Sequence, residues 1–203
     1  MALKLYYSPG SCSLSPHIAL EESGLPYEAI LAPTKTKQLP DGSDYRKVNP
    51  LGYVPFLTLP DGTGLREGAA IVQYVADQAP AKKLAPPNGT VARYQMQSWL
   101  NFIATELHKQ FGPLFTPGMP DEIKQTVRDK ITGRFSWVNG ELADKPYLMG
   151  SDFTVADGYL FTVINWTKSV GIDISAFGNL RAYHDRIAAR PAVKAVLKAE
   201  GLA

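Results

Sequence analysis

The stretch Tyr6-Tyr7-Ser8-Pro9-Gly10-Ser11-Cys12-Ser13-Leu14-Ser15-Pro16-His17 decides how this chain is read. Apart from Lys4, residues 3–7 are aliphatic and aromatic, as in a short strand, and Ser8-Pro9-Gly10 is turn chemistry. Over residues 13–23, Leu14 and Ile18 fall at helical spacing, Pro16 is tolerable in a first turn, and Gly24 is a C-terminal stop. The segment is therefore strand, turn, helix, and the chain's one cysteine sits in the turn at the helix start. A thiol near a helix N-terminus is favoured as thiolate, and helix ends or nearby cations lower its pKa from about 8.5. Buried, inert cysteines seldom occupy a Gly/Ser/Pro turn, so Cys12 is read as a functional sulfur. Ser15 stands where a Cys-x-x-Cys motif would place its second cysteine, which excludes an internal dithiol cycle.

Outward from this segment, residues 27–31 read as a second strand and residues 44–48 as a short helix. Residues 56–59 and 64–67 read as a hairpin around Asp61-Gly62. Residues 68–78 then present Ile71, Val72 and Val75 on one helical face. The order is β-α-β-α-β-β-α. Residues 80–89, with Lys82, Lys83, Pro86, Pro87 and Gly89, have the composition of a connector between domains. Beyond it the chain reads as all-helical. Residues 91–111 carry Leu100, Ile103, Leu107 and Phe111, and residues 121–142 carry Ile123, Val127, Ile131, Phe135, Val138 and Leu142, both at helical steps. Residues 159–170 are apolar nearly all round, as in a central helix. Helices over 180–189 and 192–200 complete the set. The fold class expected is α/β plus all-α: a mixed domain over residues 1–80, a linker over 81–90 and a helical domain over 91–203.

The 203 residues, 45% hydrophobic and 20% charged, suit a folded globular chain of one or two domains. A net charge of +2 without a basic cluster gives no reason to expect nucleic acid or a membrane surface as partner. One cysteine cannot make an internal disulfide or a multi-cysteine metal site, and no signal peptide or apolar span is read, so a cytoplasmic protein is expected. The histidines His17, His108 and His184 are scattered and give no metal-ligand spacing, and there is no Gly-rich phosphate loop. No metal is expected.

Other residues carry weaker signals. Pro55, after Val54, lacks an NH and begins a strand; as a cis bond it would leave the Val54 backbone able to pair with an extended ligand, and cis and trans are both open. Glu67-Gly68 enters a helix whose first NH groups can seat a carboxylate. Asn101, Thr105 and His108 share one face of an unbroken α-helix, as a polar stripe or a solvated edge. Thr154-Val155-Ala156-Asp157 has capping-box spacing and is read as structural.

Taken together, these segments resemble the cytosolic glutathione transferases, and the bacterial beta class in particular. The resemblance rests on residues 6–17, Asn49-Pro50-Leu51-Gly52-Tyr53-Val54-Pro55, Glu67-Gly68-Ala69-Ala70-Ile71-Val72-Gln73-Tyr74, residues 99–109 and Phe153-Thr154-Val155-Ala156-Asp157. It implies a thioredoxin-like N-terminal domain, an all-helical C-terminal domain and a homodimer that uses glutathione as co-substrate, with no permanently bound cofactor. It implies that Cys12 contacts the glutathione sulfur, that Pro55 is cis with Val54 pairing to the tripeptide, and that Glu67 and Gly68 anchor its γ-glutamyl end. Lys37, Asn101, Thr105, Glu106, His108 and Lys109 are implied as further glutathione contacts, with His108 and Lys109 stabilising the thiolate and Ser11 a secondary catalytic hydroxyl. Phe111, Phe115 and Trp166 are candidates for a pocket that takes a small hydrophobic electrophile. The function implied is activation of the glutathione thiol for attack on that electrophile. The alternatives are a glutathione-dependent disulfide reductase working through Cys12, and a non-catalytic carrier of glutathione and apolar ligands.

Overall fold

A computed structural model describes residues 2–203. The chain opens with β1 (Leu3–Tyr7), α1 (Leu14–Ser23) and β2 (Tyr27–Leu31). After a 3-10 turn at Tyr45–Lys47 come β3 (Phe56–Thr58), β4 (Gly64–Leu65) and α2 (Gly68–Gln78). The strands form one sheet in the order β2-β1-β3-β4. β1 runs parallel to β2 with Leu3 opposite Tyr27, and antiparallel to β3 with Tyr6 opposite Phe56. Leu5 and Leu57 are fully buried at its centre. On one side Tyr6, Ala32, Leu39, Tyr45, Val54 and Phe56 form an apolar cluster that supports the segment leading into β3. The expected β-α-β-α-β-β-α order is observed, with the second helix shortened to the 3-10 turn.

The helical portion begins with α3 (Val91–Phe102), whose start is capped by the Thr90 hydroxyl accepting from the Arg93 NH. The sequence predicts one α-helix through residue 111, but the winding changes twice. Ile103–Leu107 is a π-helix and His108–Phe111 a 3-10 helix, followed by the short α4 (Gly112–Phe115). Then come α5 (Asp121–Glu141), α6 (Val155–Asn165) and α7 (Gly178–Ala188). Val155 to Ile164 are all buried, so α6 is the central helix expected. It starts earlier than its apolar run suggests, because the capping box is its first turn: Asp157 Oδ2 accepts from the Thr154 NH at 2.7 Å and from its hydroxyl at 2.9 Å.

The last helix, α8 (Pro191–Ala199), does not stay with the helical bundle. The chain divides into residues 1–85 with 190–203, and residues 86–189, whereas the sequence reading keeps 91–203 together. The reason lies in α8 itself. Val193 and Val196 are buried, and Arg190 donates to both oxygens of Glu22 on α1 at 2.6 and 2.9 Å. Consequently α1, which the sequence shows with only Leu14 and Ile18 on an apolar face, is buried without a break from Leu14 to Leu20. It packs on α2 and α8 as well as on β1.

Candidate functional site

The β1–α1 turn is built by its own serines. Ser13 Oγ accepts from the Ser8 NH at 3.0 Å and donates to the Ser8 carbonyl at 3.2 Å. Having one proton, it must then accept from Ser11 Oγ, 2.8 Å away. Gly10, at φ +68°, turns its NH toward Glu200, whose Oε2 accepts it at 2.9 Å. This frame presents Cys12, whose thiol donates to the Val54 carbonyl at 3.2 Å.

The far wall is held as firmly. The Val54–Pro55 bond is cis. The carbonyl of the preceding Tyr53 accepts from the Tyr45 hydroxyl at 2.7 Å and from Asn49 Nδ2 at 2.8 Å. Burial pushes the Tyr45 hydroxyl up to about 12, so it stays a donor at physiological pH. Lys37, itself at φ 57°, sends its ammonium to the Gly52 carbonyl at 2.6 Å and lies over the Tyr53 ring. Gly68 opens α2 against this wall; a Cβ there would stand 3.7 Å from Pro55 Cγ. Glu67, exposed at the N-cap of α2, has φ 65° and ψ 115° and makes no side-chain cap bond. Residues held in such sparsely populated backbone conformations cluster at functional sites. Cys12, Ser11, Val54, Pro55, Lys37, Glu67 and Gly68 all belong to the first unit.

In the helical unit, the change of winding after Phe102 undoes the expected stripe of Asn101, Thr105 and His108. An i→i+5 turn spaces side chains more widely than an α-turn. Asn101 and Thr105 are exposed, with the Thr105 hydroxyl turned back to the Asn101 carbonyl at 3.0 Å. His108 instead turns into an aromatic group. Its Nδ1 lies 2.7 Å from the Tyr159 hydroxyl, and its ring meets Trp166 at 4.9 Å between centroids. Burial, with Lys109 adding a smaller push, lowers the His108 pKa from 6.5 to about 4. The ring is therefore neutral at neutral pH, and what it offers an anion is a hydrogen bond rather than a full charge. Trp166 also meets Phe111 at 5.4 Å and Phe115 at 6.2 Å, so the three aromatic candidates form one cluster with His108. Phe115 is 53% exposed, which gives that cluster an open apolar edge. Glu106 is paired with α5: Arg134 Nε and Nη2 both stand 2.9 Å from its Oε2. Lys109 is exposed.

Sequence reasoning missed the supports. Tyr159 lies inside an apolar run and reads as core. Tyr45 and Asn49 hold the Tyr53 carbonyl, and nothing in their local sequence announces it. Glu200 lies at the end of the last helix, where a carboxylate ordinarily faces solvent.

A thioredoxin-like sheet with a cysteine at its first turn and a cis-proline before its third strand, joined to an all-helical unit, defines a class of thiol-handling protein. Comparison with known proteins specifies it. Residues 10–78 match the family described as "Glutathione S-transferase, N-terminal domain", and residues 102–191 the family described as "Glutathione S-transferase, C-terminal domain". The glutathione S-transferase GstA of Escherichia coli O157:H7 is 46% identical over 200 residues, covering 98% of this chain and 100% of that one. The ternary complex of BphK, a bacterial GST, superposes with a TM-score of 0.96 at 53% identity, covering 98% of this chain and 100% of that one. A sphingomonad glutathione S-transferase complexed with glutathione gives 0.95 at 46% identity, with the same coverage. A bacterial beta-class enzyme of Sphingomonas chungbukensis gives 0.95 at 49% identity, again with 98% and 100% covered. The chain belongs to the glutathione S-transferase family. Among the described residues no helix is long and apolar enough to cross a membrane.

Proposed function

We propose that the protein binds glutathione through its first unit and activates the tripeptide thiol for attack on a small hydrophobic electrophile. The observation that carries this reading is the 3.2 Å bond from the Cys12 thiol to the Val54 carbonyl, which sets a sulfur beside a backbone acceptor suited to a peptide. Glu67 and the NH groups opening α2 suit the amino and carboxylate groups of a γ-glutamyl end, and Lys37 suits a carboxylate at the other. Asn101, Thr105, Glu106 and Lys109 are further contacts in this proposal, and Ser11 shapes the turn beneath the sulfur. The cluster of Phe111, Phe115 and Trp166 beside neutral His108 supports an apolar seat for the electrophile, with a hydrogen-bonding ring at its edge. Holding both reactants turns a bimolecular step into a local one. The exposed Leu51 (60%), Tyr53 (66%), Val91 (74%) and Tyr94 (63%) support a homodimer, since a second copy would cover large apolar side chains. A reducing cytoplasm suits chemistry that consumes reduced glutathione.

Calorimetric titration with glutathione tests the binding half. Measurable affinity in the wild type and a loss of about tenfold or more in Glu67→Ala is expected; no binding to the wild type sinks the reading. Turnover of a chlorinated aromatic tests the rest. If conjugation is absent while glutathione mixed disulfides are reduced, and that reduction vanishes in Cys12→Ala, the disulfide reductase replaces the transferase. Light scattering in solution tests the dimer, which a monomer mass would refute.

A further inference from the structure

The serines around Cys12 are not equivalent. Those of Ser11 and Ser13 are committed to the turn by the bonds described above. Ser15 is 1% exposed, and its Oγ is a buried side-chain oxygen with no hydrogen-bond partner. A serine within a helix ordinarily returns its proton to the carbonyl four residues back. Here it does not, although the Ser11 carbonyl, which takes the Leu14 NH at 3.0 Å, has a second lone pair to offer. Buried hydroxyls are rarely left this way, and each such case asks for a reason.

Its position supplies one. Ser15 is the second residue of α1, three after Cys12. The Ser11–Leu14 backbone bond, with Ser13 at φ −68° and ψ −14°, carries helical winding back to Cys12. Residues three apart share a side of such a turn, and helical side chains lean toward the N-terminus. Residue 15 is thereby placed on the same side of the turn as the residue that carries the sulfur. The Cys12 thiol now donates to a carbonyl, an arrangement available only to the protonated form. A thiolate has no proton to give and needs donors instead.

We propose that Ser15 is the positioning residue that donates its hydroxyl proton to the Cys12 thiolate when a peptide ligand takes the Val54 carbonyl and the thiol gives its proton to solvent. This deepens the function proposed above and rests on Cys12 being its protein sulfur. The stand-by hydroxyl is unpaired in the protonated state because its partner exists only after ionisation. The test reads Cys12 directly, so it stays separate from whether glutathione is the substrate.

In Ser15→Ala, the pH profile of Cys12 alkylation by iodoacetamide should move its midpoint up by about one unit, with about tenfold slower alkylation below the midpoint. The unfolding temperature should be unchanged or higher, because an unpartnered buried hydroxyl has been removed. An unchanged midpoint overturns the proposal, and so does a lowered unfolding temperature, which would assign the hydroxyl a standing structural bond. In Ser15→Cys, a diazenedicarboxamide oxidant should take two protons and two electrons from the paired thiols, becoming the hydrazine as the S–S bond forms. Loss of both thiols in the native protein is expected; an introduced thiol that stays reducing places residue 15 out of reach and overturns the proposal.

Discussion

The Nδ1 of His17 lies 2.7 Å from Oε1 of Glu200, which is 183 residues later in the chain, and the two side chains are 3% and 0% exposed. Glu200 spends its other oxygen on the Gly10 NH at 2.9 Å. One buried carboxylate thus ties the end of the chain to α1 and to the turn that carries Cys12, and Leu202 covers Gly10 from outside.

Glu200→Ala removes one partner of a buried pair and strips the Gly10 NH of its acceptor. Such a loss costs about 3 kcal/mol or more. Glu200→Gln keeps the shape and one acceptor oxygen and should cost less. Denaturant unfolding of the three proteins checks both; equal stability of Glu200→Ala and wild type would mean that the pair contributes nothing.

His108 makes stability depend on pH in a defined window. Burial lowers its folded pKa to about 4, while the unfolded ring titrates at its ordinary 6.5. Between these values the unfolded state binds more protons, so stability rises with pH across the window and is lost as pH falls through it. The loss attributable to this ring is about 2 kcal/mol after discounting its residual exposure. His184, whose pKa is also lowered by burial, adds a slope of the same sign and persists in a His108→Asn variant. The difference between the two proteins' unfolding free energies from pH 4 to 6.5 therefore isolates His108. A difference that does not vary with pH would contradict the buried neutral ring.

The capping box offers a graded pair of substitutions. Thr154→Ala should cost about 1 kcal/mol, as for other lost N-caps. Asp157→Ala should cost more, because its carboxylate also accepts from the Leu148 NH at 2.8 Å and the Tyr183 hydroxyl at 3.0 Å, all in buried surroundings. Thermal unfolding should therefore rank wild type above Thr154→Ala above Asp157→Ala, and an inverted ranking would remove Asp157 from the centre of that network.

What could be read from the sequence was local. Residues 3–7 and 27–31 announce strands by composition, and α2 begins and ends at residues 68 and 78 as its apolar spacing predicts. The cysteine at a helix start and the proline before a strand were legible for the same reason: each is a chemical fact about its own neighbours. The π-turn at Ile103–Leu107 was not, because Leu100, Ile103, Leu107 and Phe111 fit an unbroken α-helix equally well. Nor was the return of α8. Its Val193 and Val196 show that it has an apolar face, but no pattern within nine residues names the surface that covers it. The His17–Glu200 pair and the Tyr159 partner of His108 are pairings across distance, and one sequence records only their members.

Glu67 is where stability and binding should separate. Its φ of 65° with ψ 115° costs a non-glycine residue about 1 kcal/mol or more, and its exposed side chain makes no cap bond that would offset this. Glu67→Gly relieves the backbone while loosening the unfolded chain, a smaller opposing effect of about 0.5–1 kcal/mol. The variant should therefore unfold at the same denaturant concentration as wild type or slightly higher. Its affinity for glutathione should nevertheless fall by about tenfold or more, the worth of a hydrogen bond to a charged group. Glu67→Ala should show the same loss of affinity without the relief. The carboxylate is then a binding group held in a costly conformation by the turn into α2. If instead Glu67→Gly loses stability and keeps affinity, the strained residue serves the fold and the γ-glutamyl anchor must be sought elsewhere on that turn.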